Sequence, residues 1–195
     1  MTNNFDQIRS LLKFEDDYFY FVQIIQRKKE IPDLGSNNRV IRSYMISDMS
    51  KFDRCQDEII SMCEHFNARA YIHLNRRKWN RIGLECLRHN AELIANDQAD
   101  GIKSSLETVI GRHNCEPKGH KTWIVDIDSL DEGLQREVQN YINTECDPMG
   151  NKIVANIPTR NGSHLITYPF NSQTFGTRYP EIEIHKDNPT NLYIP

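Results

Sequence analysis

Residues 122–132 read TWIVDIDSLDE: an apolar run closes on Asp126 and Asp128, and Ser129 begins an S-x-x-E box with Glu132. Trp123, Ile124 and Val125 form a short aromatic and β-branched strand signal. Side chains two apart on a strand share a face, roughly 6.6 Å apart at about 3.3 Å rise per residue, so the two carboxylates converge. Like charges that close to apolar neighbours repel and resist desolvation unless a cation or basic group offsets them. Leu134, Val138 and Ile142 follow at helical spacing, predicting a helix over 131–143 that opens with the capping box. A strand that passes into a helix at a D-x-D predicts an α/β or α+β sheet with a site at the strand's carboxyl end. Taken alone, the pair also fits a turn residue, Asp128, beside a partner for a nearby Arg or Lys, Asp126.

Working outward, YFYFVQIIQ (18–26) and RVIRSYMI (39–46) flank the turn signal PDLGSNN and predict a hairpin. Ser50 begins an S-x-x-D box before a helical face of Phe52, Ile59, Cys63 and Phe66. ARAYIHLN (68–75) predicts a strand. Trp79, Ile82, Cys86, Leu93 and Ile94 predict a helix over about 78–96, and Ile102, Leu106, Val109 and Ile110 a second one. The last third is rich in strand signals punctuated by Gly, Pro and Asn. No repeat or low-complexity segment interrupts it.

Bulk properties narrow the possibilities. At 195 residues the chain suits one domain, divisible into an N-terminal α/β part (1–115) and a motif-bearing part (116–195). No apolar run approaches the roughly 20 residues needed to span a bilayer, and MTNNFDQIRS lacks a signal-peptide pattern. A cytoplasmic protein away from membranes is expected. Five cysteines, at 55, 63, 86, 115 and 146, are an odd and scattered set, so reduced thiols are expected. A net charge of −3 and a pI near 6.2 argue against a polyanion-coating protein. Locally, Arg69, Arg76, Arg77, Lys78, Arg81 and Arg88 outnumber Glu85 between residues 67 and 88, a stripe that suits either a solvated face or a phosphate backbone.

Two further segments carry chemistry. IPTRNGSHLITYPF places the hairpin turn TRNGS between apolar runs, with Asn161-Gly162 as the turn signal and His164 at the first strand position beyond it. EIEIHKDNPTNLYIP puts Glu181, Glu183 and His185 on one face and Ile182 and Ile184 on the other, a pattern that an acidic edge strand also produces.

A strand ending in D-x-D, a T-x-x-G-x-H hairpin and a later acidic strand, in that order, resemble the catalytic core of the archaeo-eukaryotic primase superfamily, its primase-polymerase group in particular. The likeness covers residues 122–195. It departs in lacking the group's paired glycines, in having the serine usually upstream of the histidine replaced by Asn161 or displaced to Ser163, and in Glu183 where Asp is commoner. The resemblance implies an RRM-like core of mixed or antiparallel sheet with packed helices. It also implies a nucleotidyltransferase that extends or primes strands with two Mg²⁺ or Mn²⁺ ions. Asp126, Asp128 and Glu183 (or Glu181 or Asp187) would hold the metals. His164, with Thr159, Arg160, Asn161 and Ser163, would contact a nucleoside triphosphate.

Arg76, Arg77 and Lys78 are candidates for contacting template DNA or the triphosphate. A small core without a helicase domain would suit phage or mobile-element replication, with a helicase acting in trans. His113, Cys115, His120 and Cys146 have the donor types of a Zn²⁺ site, but their irregular spacing, without C-x-x-C, fits ordinary loop residues better. A metal-dependent nuclease and a non-catalytic nucleic-acid-binding domain are the competing functions. The aromatic RNP1 pattern of an RNA-recognition module is absent.

Overall fold

A computed structural model describes residues 1–31, 35 and 37–195. The chain begins with β1 (Thr2–Asn3), α1 (Phe5–Leu11), β2 (Tyr18–Gln26), β3 (Arg39–Ile46), α2 (Met49–Phe66), β4 (Arg69–Lys78), α3 (Trp79–Ala95) and α4 (Ser105–Arg112). It continues with β5 (Trp123–Ile127), α5 (Glu132–Thr144), β6 (Ile153–Pro158), β7 (Ser163–Thr167), α6 (Ser172–Arg178), β8 (Glu183–His185) and β9 (Thr190–Ile194). The fold is α+β, with two antiparallel sheets ordered β1-β9-β4-β2-β3 and β6-β7-β5-β8.

The predicted hairpin is β2 and β3, paired from Tyr20↔Ile46 to Gln26↔Arg39. Within its PDLGSNN turn, Pro32, Asp33, Leu34 and Ser36 lie outside the described residues. Strand β2 is buried on both sides, because Tyr20, Val22 and Ile24 face one core while Phe19 and Phe21 face another, formed with Ile82, Val109 and Ile110 of α3 and α4. That double burial explains its nearly unbroken apolar run.

The second sheet and its helices form a β-α-β-β-α-β unit with its first strand, β5, between the third and fourth. Alternation along β5 sorts its two faces. Val125 and Ile127 pack beneath Val138 and Ile142 of α5 and Phe175 of α6. Ile124 faces the other way, joining Ile157 and Ile166 against Val22, Ile24, Ile72 and Leu192 of the first sheet. Asp126 shares the face of Ile124, the one turned toward the first sheet and away from α5 and α6.

Several boundaries differ from expectation. Strand β4 continues through Arg76, Arg77 and Lys78, because the Arg76 and Arg77 side chains are buried and paired within the fold. Helix α2 is capped by Asp48, whose carboxylate accepts from Lys51 N at 2.7 Å, so Ser50 falls inside the first turn. Helix α5 is capped by Asp131, which accepts from Gly133 N at 2.7 Å, while Ser129 Oγ accepts from Asp131 N and braces the preceding turn. In both cases the aspartate has the extended backbone that aims its oxygen at free N–H groups. Only Glu183–His185 of the EIEIH alternation is strand. Finally, β9 returns to the first sheet between β1 and β4, so the motif-bearing segment closes the N-terminal sheet.

Candidate metal and phosphate site

Antiparallel pairing builds the site by register. Asp126 lies directly opposite His164 of β7 on one side and Glu183 of β8 on the other. Directly opposed residues share a face, so three distant stretches of chain present one row: imidazole, carboxylate, carboxylate. His164 Nε2 lies 3.5 Å from Asp126 Oδ1. His185, one face-repeat further along β8, puts its Nε2 3.3 Å from Glu183 Oε2 and 4.0 Å from Asp126 Oδ2.

The His164 and Asp126 members of this row open into a cleft of about 690 Å³ between the two sheets. Asp126, Asp128, Thr159, Arg160, Asn161, His164 and His185 line one wall, and Arg27, Lys29, Arg69 and Tyr71 line the other. Asp126 and Asp128 also line an adjoining cleft of about 460 Å³ together with Glu181, Glu183, Arg27 and Lys29. Arg69 is ion-paired with Glu30, and Arg160 Nη1 lies 3.8 Å from the same carboxylate.

The electrostatics are unbalanced. Burial, and then the charge of Asp128, push the Asp126 carboxyl above the usual carboxylate range; His185 and Arg27 oppose this only in part. Among the described residues neither Asp126 nor Asp128 accepts a hydrogen bond from a protein donor. His164 is pushed down to about 4, first by burial and then by His185, so its imidazole is neutral at pH 7. Its Nδ1 lies 2.9 Å from Thr190 Oγ1 of β9.

Gly162 is explained by a close approach. A Cβ there would overlap the carbonyl oxygen of Ile127 and come within 2.6 Å of Ser129 N, so the 159–162 turn lies on the backbone that flanks Asp128. Only glycine lets the turn sit that near.

Other expected residues fall elsewhere. Ser163 is buried opposite Ile127 on the helix-covered side of the sheet, the face away from His164, and cannot reach the cleft. Arg76 is clamped by Glu116 at 2.7 Å and by Glu15 at 2.9 Å, and the fully buried Arg77 pairs with Asp187 and donates to Ile110 O. Both are structural cations, unable to contact a template without abandoning buried partners. Lys78 is half-exposed near Asp17 and Tyr18, away from the cleft. Asp187, held by Arg77 and Asn75, is removed as an alternative third acid; Glu181 sits on the lip of the smaller cleft.

The zinc set does not assemble. Cys146 is buried in the core under α5 and α6, whereas Cys115 packs near Phe19 and Phe21 beside the first sheet. Among the described residues, no group of three or more His, Cys, Asp or Glu side chains is gathered closely enough to hold a metal ion as it stands. The donor chemistry at Asp126 and Asp128 nevertheless fits a hard divalent cation: two carboxylates line one cleft, and burial together with the charge of Asp128 destabilises the ionised form of Asp126.

Sequence reasoning missed Arg27, Lys29, Arg69 and His185 as cleft residues. The RKKE run after β2 and the shared face of Glu183 and His185 were visible signals. Their convergence was not, because it depends on how the two sheets meet. No protein-family model, curated protein or solved structure matches the chain, and no helix among the described residues is long and apolar enough to cross a membrane.

Proposed function

We propose that this cleft is the active site of a metal-dependent nucleotidyltransferase of the primase-polymerase type, acting on a nucleic-acid template. The observation that carries the reading is the cross-strand row His164, Asp126, Glu183 on the face of a β-α-β-β-α-β sheet turned away from α5 and α6, where Asp126 lines two adjoining clefts that share the basic residues Arg27 and Lys29. Asp126 and Asp128 would hold the divalent cations, with Glu183 completing the acidic set. Bound Mg²⁺ or Mn²⁺ would supply charge neutralisation at the phosphates and activation of a 3′ oxygen.

The chain's own residues then divide the remaining work. His164, neutral and directed at Asp126, offers one N–H to a phosphate oxygen. Arg160 on the turn carries a guanidinium fork suited to bidentate phosphate contacts, while Arg69 on β4, buried and held by Glu30, contributes fixed positive charge to the wall. Arg27 and Lys29 extend the positive wall beside Asp128, where a triphosphate tail or a template backbone would lie. Tyr71, with Ile25 and Ile124 in the same cleft, supplies surface against which a base can rest.

The test is strand extension. Purified protein with a primed or unprimed template, NTPs or dNTPs, and Mn²⁺ should yield longer strands, and Asp126→Asn should abolish them, a loss of at least about a hundredfold. The same variant should lose the rise in melting temperature that Mn²⁺ gives the parent protein. Shortened template without added nucleotides would identify a phosphodiesterase built on the same acids. Absence of product, together with an Mn²⁺ response equal in both proteins, overturns the reading and leaves a binding domain.

A further inference from the structure

We propose that Thr190 is the positioning residue of His164: its hydroxyl donates to Nδ1, holds the ring in its Nε2–H form, and aims that N–H at Asp126 and the cleft. The contact is short and local, with Oγ1 2.9 Å from Nδ1, and Thr190 is fully buried. The two residues come from different sheets. His164 stands on β7, whereas Thr190 begins β9, where it is paired with Ile72 of β4.

The direction of the hydrogen bond follows from what the other ring nitrogen meets. With Nδ1 protonated, the bare Nε2 lone pair would face Asp126 Oδ1 at 3.5 Å, acceptor against acceptor. With Nε2 protonated, that nitrogen instead points a donor hydrogen toward the carboxylate, and Nδ1 needs a donor of its own. The Thr190 hydroxyl is that donor. A β-branched side chain on a central strand has little rotamer freedom, so the hydroxyl is held ready at small entropic cost.

Thr190 is itself fixed by a network at the start of β9. Asp187, three residues earlier, accepts from Arg77 at 3.1 Å and from Asn75 at 3.3 Å, and its carbonyl lies 3.0 Å from His73 Nδ1. The first sheet thus sets the orientation of an imidazole belonging to the second. The consequence for nucleotide handling rests on the function proposed above; the tautomer itself does not.

Ring nitrogen shifts in ¹⁵N-labelled, metal-free protein at pH 7.5 test this directly, with His164 assigned by loss of its signals in His164→Gln. The expected result is an unprotonated, hydrogen-bonded Nδ1 and a protonated Nε2. Thr190→Val, which keeps shape and removes the donor, should move Nδ1 toward a free lone-pair value and mix the two tautomers. Thr190→Ser should restore the parent pattern. In the extension assay Thr190→Val should raise KM for the nucleotide about tenfold with a smaller change in kcat, and Thr190→Ser should stay near the parent. A protonated Nδ1 in the parent protein overturns the proposal, as do ring shifts that are identical in Thr190→Val. Loss of the extension reading alone would leave the nuclear magnetic resonance result standing.

Discussion

Asp126 shows how one residue can be destabilising in the free protein and still be specified. Its neighbours on β5 are apolar, its flanking strands bring an imidazole and a carboxylate, and burial with Asp128 raises its pKa. Replacing the charge by a neutral amide should therefore stabilise the metal-free protein: Asp126→Asn is expected to raise its melting temperature by an amount worth on the order of 1 kcal/mol. A fall in melting temperature would show the carboxylate to be compensated by contacts other than those described. Gly162 is specified for the opposite reason, since it has no room to be anything else. Gly162→Ala should cost about 1–3 kcal/mol by forcing the hairpin turn off the Ile127–Ser129 backbone, read as a lowered unfolding midpoint. An unchanged midpoint would mean that the turn yields freely. The glycine, the histidine and the two aspartates were all visible in the sequence, because each stands at a strand end or turn where an apolar pattern stops.

At the scale of elements, β4 is the instructive case. Its apolar alternation ends near Asn75, and a run of three cations then reads as a solvent-facing stripe. In the fold the strand continues, because each buried guanidinium has found its partners far along the chain: Glu116 for Arg76, Asp187 and the Ile110 carbonyl for Arg77. Periodicity reports on burial of apolar groups and is silent on ion pairs formed by residues 40 or 110 positions away. Arg77→Met should therefore act as a core mutation, costing about 3–5 kcal/mol in chemical denaturation, since it strands a half-buried Asp187. Adding Asp187→Asn should recover part of that loss. A cost under about 1 kcal/mol would return Arg77 to the class of surface cations. The capping aspartates 48 and 131 teach a smaller lesson. The serine boxes were present in sequence, but the cap goes to whichever side chain the entering backbone aims at the free N–H groups.

For the molecule as a whole, two largely buried imidazoles, His73 on the first sheet and His164 on the second, make stability depend on pH. His73 is pushed down to about 3 by burial and the nearby Arg77, and His164 to about 4. Both stay neutral in the folded state while their unfolded counterparts take up protons below about 6.5. The unfolded chain then binds more protons, so stability is greatest above that pH and falls on acidification, by up to about 1.4 kcal/mol per pH unit for each histidine. The raised carboxyls of Asp126 and Asp187 act in the opposite sense. The urea midpoint should therefore drop between pH 7 and pH 5; a flat profile over that interval would show that one or both rings accept a proton inside the fold. By itself the sequence determined a sheet with packed helices, the β2–β3 hairpin, the strand bearing Asp126 and the turn bearing His164, because local apolar period and turn chemistry act over a few residues. Only the tertiary structure decided that β9 would join the first sheet, that Arg27, Lys29 and Arg69 would face the aspartates, and that Arg76, Arg77 and Ser163 would not. Those outcomes depend on strand order and on which sheet faces meet, and pairings between residues a hundred positions apart leave no period in the chain that makes them.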